Sequence, residues 1–239
     1  MLAEAHDAFA DVREAFSEAS EALGYDLWEL VSAGDAGTLN LTEYTQPALL
    51  TASVALWRAW RSAGGALPAA LAGHSLGEFS ALCCAGVFSL ADAASLVRER
   101  GRFMQTAVPV GEGAMAAVIG LSDEDVVATC SAVASQRNEV LQAVNFNSPG
   151  QVVVAGHAGA VAAAEAALKE AGAKRVMALP VSAPFHTSLM TPAGERLAEV
   201  LDGISMAAPE IPVVHNVNAK TESDPAQIRA LLVQQIAAP

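Results

Sequence analysis

Basic charge is scarce in this chain. Its 239 residues hold 13 Lys and Arg against 26 Asp and Glu, a formal net charge of −13. That balance argues against nucleic acid and anionic membrane as partners, since both are bound through basic surface. Cysteine is scarcer still. The three present include the adjacent pair Cys83-Cys84 and form neither a disulfide framework nor a C-x-x-C, so they read as small buried hydrophobes. No apolar run is long enough to span a bilayer, because charged residues interrupt every long stretch. The opening Met1-Leu2-Ala3-Glu4 carries no basic n-region, so a cytoplasmic protein is expected. None of the five histidines pairs with another at metal-ligand spacing, and no metal is expected.

Hydrophobic residues make up 53% and charged residues 16% of the chain, the balance of a globular rather than a disordered protein. The length allows one domain, or one large domain with a smaller one inserted. The organising stretch is Gly73-His74-Ser75-Leu76-Gly77, a G-x-S-x-G run. Pro68–Ala72 before it suits a short buried strand, and Glu78–Leu90 after it favours helix. A serine on such a strand-to-helix turn has its hydroxyl pushed out of the sheet, and the helix start offers N–H groups to an oxyanion. The competing reading makes Ser75 a helix cap.

Residues 2–23 predict one amphipathic helix ending at Gly24. Thr42–Arg61 predicts a long helix with Thr45 as its cap and Pro47 in its first turn. A further helix is expected from Leu90 to Met104. Residues 113–181 have a different rhythm: strand 114–119, helix from Ser122, strands 140–146 and 151–155 joined by Asn147-Ser148-Pro149-Gly150, helix 158–171, and strand 174–181. That βαββαβ order is ferredoxin-like. The expected fold is therefore α/β. A hydrolase-like large subdomain (1–112 and 182–239) carries a parallel sheet and the nucleophile elbow, and a ferredoxin-like small subdomain (113–181) is inserted in it.

The string Gly73–Leu82 resembles the nucleophile segment of the malonyl-CoA:acyl carrier protein transacylases, the acyltransferase family of fatty-acid and polyketide synthesis. Thr45-Gln46-Pro47-Ala48, Arg100-Gly101-Arg102-Phe103-Met104-Gln105, Val144–Gln151 and Leu179–Met190 are similar to further strings of that family. The resemblance implies Ser75 as nucleophile and His186 as catalytic base. It implies Arg100 as the fork that grips the malonyl carboxylate, a geometry lysine cannot reproduce. Leu76 N–H is implied as an oxyanion donor, Gln46 as a residue close to the site, and Asn147 as a residue at the mouth of the coenzyme A channel. His74 is expected to shape the pocket. From the residues alone, Gln46 is equally a polar residue of a capping turn, Arg100 a surface charge and Asn147 part of a hairpin turn.

The implied activity is transfer of malonyl from malonyl-CoA to acyl carrier protein through a malonyl-serine in fatty-acid biosynthesis, an [acyl-carrier-protein] S-malonyltransferase. No cofactor is implied, since the coenzyme A thioester is substrate, and a monomer is expected. Acyl carrier proteins are themselves acidic, so docking needs a local basic patch, with Arg58, Arg61, Arg98, Arg102, Lys174 and Arg175 as candidates. The chain begins beyond the family's Gly-Gln-Gly-Ser-Gln oxyanion loop and stops before its last segments. It is therefore expected to be truncated at both ends, with half the oxyanion hole and the carbonyl that orients His186 missing. The alternatives are a serine hydrolase or thioesterase, a catalytically impaired fragment that binds carrier protein, and a polyketide synthase acyltransferase domain.

Overall fold

A computed structural model describes residues 2–181 and 183–239, so Ser182, where the large subdomain is expected to resume, lies outside the described residues. The chain packs as two compact units. One runs up to Arg102 and takes in Leu197–Leu231; the other comprises Phe103–Arg196 and Leu232–Pro239.

The first unit opens with two helices, α1 (Ala3–Ala8) and α2 (Ala10–Leu23), instead of the single helix expected over 2–23. Phe9 takes an extended conformation between them. Arg13 from α2 reaches back to donate to the carbonyls of His6 (2.6 Å) and Asp7 (3.0 Å), satisfying groups a continuous helix would have paired. In α2, Val12, Ala15, Phe16, Ala19 and Leu23 recur at three- and four-residue spacing and are buried. After α3 (Leu27–Ala33) and α4 (Ala36–Leu39), α5 runs from Thr42 to Ser62 and packs on α2. It starts three residues before the expected cap. Thr45 lies inside the helix because its hydroxyl bonds the carbonyls of Leu39 (2.5 Å) and Leu41 (3.1 Å), so Pro47 falls in the second turn.

Strand β1 is only Leu71–Ala72, shorter than the expected 68–72. Its parallel partner is Val213–Val214 (β6, numbered in chain order after β2–β5 below), in the register Leu71 with Val213 and Ala72 with Val214. Helix α6 (Leu76–Cys84) follows the elbow directly, and α7 (Leu90–Thr106) crosses into the second unit.

The second unit holds a four-stranded antiparallel sheet of β2 (Gly113–Ile119), β3 (Leu141–Ser148), β4 (Gln151–His157) and β5 (Arg175–Ala178), in the spatial order β3-β4-β2-β5. Helices α8 (Asp123–Arg137) and α9 (Ala158–Glu170) cover one face. Side-chain alternation divides the strands. Ala116, Val118, Val152 and Val154 pack on Val126, Cys130, Ala164 and Leu168, while Met115, Val153 and Ala155 cluster on the opposite face with Val144. Ser122 caps α8 by accepting from Asp125 N–H. The expected ferredoxin-like arrangement is what these strands adopt. Beyond them come a 3-10 turn (Ser188–Met190), α10 (Thr191–Asp202) and α11 (Pro225–Gln235). Among the described residues no helix is long and apolar enough to cross a membrane.

Candidate active site

Ser75 sits at φ 50°, ψ −103°, a conformation a side-chain-bearing residue adopts only under constraint, at a cost of order 1–3 kcal/mol. It occupies the N-cap position of α6, yet its side chain makes no capping bond, so the helix-cap reading fails. Gly73 makes the turn possible: a Cβ there would lie 2.0 Å from the carbonyl of Gly77 and 2.6 Å from Glu78 N. Asn216 holds the turn from outside the motif. Its Oδ1 accepts from Ser75 N–H at 2.7 Å, and its Nδ2 donates to Gly73 O at 2.7 Å. Sequence reasoning missed Asn216. Its one available signal was its place directly after His215, at the end of the strand containing Val213 and Val214.

Arg100 is 2% exposed, not a surface charge. Its Nη2 donates to Ser75 Oγ at 3.0 Å and its Nη1 to Gln46 Oε1 at 2.7 Å. Helices α5 and α7 meet closely enough to allow this, because a Cβ at Gly101 would stand 2.6 Å from Thr42 O. A guanidinium only donates, so Gln46 must present its oxygen to Arg100, and its Nε2 donates to Thr42 Oγ1 at 3.1 Å. Gln46 is thus a buried site residue. Phe79 lies under the guanidinium at 5.1 Å. Burial pulls Arg100 down to about 10, with the Glu78 carboxylate opposing that shift, so the group is cationic at neutral pH. Leu76 opens α6, where first-turn N–H groups lack partners further back in the helix. His74 is exposed.

His186 and Asn147 belong to the second unit. Asn147 is exposed near the end of β3. His186 is 8% exposed and has φ 61°. The following turn is fixed by Thr187 Oγ1 donating to Pro184 O (2.7 Å) and Ser188 N–H donating to Gln142 Oε1 (2.8 Å). The expectation that His186 lacks an orienting carbonyl is corrected: its Nδ1 lies 2.9 Å from the backbone oxygen of Gln235. A carbonyl only accepts, so Nδ1 carries the proton and Nε2 the lone pair, the tautomer of a general base. Gln235 is the last residue of α11, so its carbonyl stands at the end of the helix.

The basic candidates for a docking patch are largely engaged in the first unit. Arg58 pairs with Glu18 (2.7 Å), Arg102 with Glu99 (2.8 Å), and Arg98 donates to Leu23 O (3.0 Å). Lys174 and Arg175 in the second unit are exposed.

Residues 1–235 match the acyl transferase domain family. The malonyl CoA-acyl carrier protein transacylase of Salmonella typhimurium is 57% identical over 236 residues, covering 99% of this chain and 76% of that relative. The crystal structure of an acyl carrier protein S-malonyltransferase from Vibrio cholerae superposes with a TM-score of 0.98 at 53% identity, covering 100% of this chain and 78% of that one. A malonyl-transacylase in complex with a type II polyketide acyl carrier protein superposes at 0.97 and 52% identity, covering 100% of this chain and 77% of that one. With the family match running through the elbow, the buried arginine and the histidine turn, this chain belongs to the acyl transferase domain family.

Proposed function

We propose that this protein transfers malonyl from malonyl-CoA to the phosphopantetheine thiol of acyl carrier protein, with Ser75 as nucleophile, in fatty-acid biosynthesis. The observation that carries the reading is the 3.0 Å bond from Arg100 Nη2 to Ser75 Oγ: a buried cation beside a nucleophile suits an acyl group that ends in a carboxylate. The activity named for the relatives at over 50% identity supports the same choice.

In the first half-reaction His186 Nε2 takes the Ser75 proton as Oγ bonds the thioester carbon. The oxyanion faces Leu76 N–H, the C–S bond breaks, and the coenzyme A sulfur leaves with the proton from Nε2. In the second, Nε2 deprotonates the carrier thiol, whose sulfur attacks the malonyl ester. The Oγ–C bond then breaks and Ser75 recovers its proton. Gln46 holds Arg100 in place, Asn147 borders the coenzyme A path, and His74 shapes the rim of the elbow. Residues 113–181 form the inserted small subdomain. The reaction needs no cofactor. The protein acts as a cytoplasmic monomer, and its charge of −13 disfavours nucleic acid and anionic membrane.

Labelled malonyl-CoA with the full chain tests this. A covalent malonyl adduct is expected on the unmodified protein and none on Ser75→Ala. An adduct persisting in Ser75→Ala overturns the assignment. Release of free malonate instead of transfer to carrier protein points to a hydrolase. Absence of any adduct on the unmodified chain points to a carrier-binding form without turnover.

A further inference from the structure

The parallel pair β1–β6 is only two residues long on each strand, so backbone pairing alone anchors the elbow weakly. Around it lies a side-chain ring that the acyl-transfer chemistry does not use. Glu78, in the first turn of α6, is fully buried. One of its oxygens accepts from His215 Nδ1–H at 2.7 Å and the other from Asn216 N–H at 3.1 Å. Asn216 in turn grips Ser75 N–H and Gly73 O, so the ring leaves the elbow, crosses from α6 to the end of β6 and returns. His215 N–H donates to Lys220 O and Ala219 N–H to His215 O, each at 3.0 Å, which fixes the loop carrying both residues. His215 is 1% exposed and its Nε2 is buried with no partner, so only its Nδ1–H is put to use.

We propose that Asn216, aimed by the buried Glu78–His215 pair, is the positioning residue that holds Ser75 in its strained conformation for attack. This rests on the reading of Ser75 as nucleophile. A single amide is suited to the task because it accepts from Ser75 N–H and donates to Gly73 O at once, fixing the backbone on both sides of His74. An aspartate in its place can accept but not donate. The carboxylate of Glu78 is required because it must accept from two donors, whereas a glutamine turns an NH₂ toward one of them. Arg100 and Gln46 come from α7 and α5, outside the ring, and meet it through Ser75 Oγ and the Glu78 charge.

The test compares Asn216→Ala, Asn216→Asp, Glu78→Gln, His215→Leu and His215→Asn in the full chain, measuring single-turnover acylation by labelled malonyl-CoA. Asn216→Ala is expected to slow acylation per active site about 100-fold, with KM for malonyl-CoA changed less than about threefold. The burst amplitude should be preserved, which a mere loss of folded protein would not do. Asn216→Asp and Glu78→Gln should fall in the same direction. His215→Leu should slow the step, and His215→Asn, whose amide N–H can stand in for Nδ1–H, should recover most of that loss. Acylation by Asn216→Ala at the unmodified rate overturns the proposal, as does a His215→Asn variant no better than His215→Leu. If the unmodified chain forms no malonyl-serine, the functional reading fails separately. The clamp is then judged by hydrogen exchange at Ser75 N–H, which Asn216→Ala must accelerate; unchanged exchange overturns it.

Discussion

In the function proposed above, selectivity rests on the chemistry of one side chain, Arg100. Its two terminal nitrogens bond different partners, Gln46 Oε1 and Ser75 Oγ, so the fork is held in one plane before substrate arrives. An ammonium at the same place is a point donor and cannot hold Gln46 while meeting a carboxylate with two parallel bonds. Arg100→Lys should therefore lower the ratio of malonyl to acetyl transfer about 10- to 100-fold, the equivalent of one charge-assisted hydrogen bond, as read from competing thioesters. Burial lowers Arg100 to about 10, and loss of its proton removes the charge. The malonyl preference should then be flat at neutral pH and decline as the pH rises through about 10, measured as the same ratio.

At the scale of elements, one glycine sets how near two helices can lie. A Cβ on Gly101 would meet Thr42 O at 2.6 Å and Glu43 N at 2.8 Å, backbone atoms that cannot swing aside. Gly101→Ala should push α7 off α5, lowering stability by about 1–3 kcal/mol in urea titration. The same shift separates Arg100 from Gln46, so KM for malonyl-CoA should rise in the fraction that folds. A variant with unchanged urea midpoint and KM means the helices are not held apart by this contact. The secondary structure of α8, α9 and β2–β5 was legible because caps, turns and apolar periods act within a few residues, as Ser122 does for α8. The start of α5 was not, because Thr45 has two possible acceptors upstream and the fold chose both.

For the whole molecule, the question is whether Ser75 and His186, carried by different units, act in one step. If they do, removing either abolishes the same event. Ser75→Ala, His186→Ala and the double variant should then show nearly the same residual transfer. Losses that multiply in the double variant mean the two groups serve separate steps.

Local signals in the sequence were enough for the elbow motif and the ferredoxin-like unit, while Ser75, His186 and Arg100 were singled out by the family strings they stand in. Each is written in contiguous letters whose effects are short-ranged. Tertiary structure alone decided how those groups are held. Asn216 reaches Ser75 across 141 residues, Gln46 reaches Arg100 across 54, and a backbone oxygen at Gln235 orients His186 across 49. A main-chain carbonyl is present at every position and a lone asparagine is common in loops. Neither carries a mark in the sequence until folding brings it against a group that needs a partner.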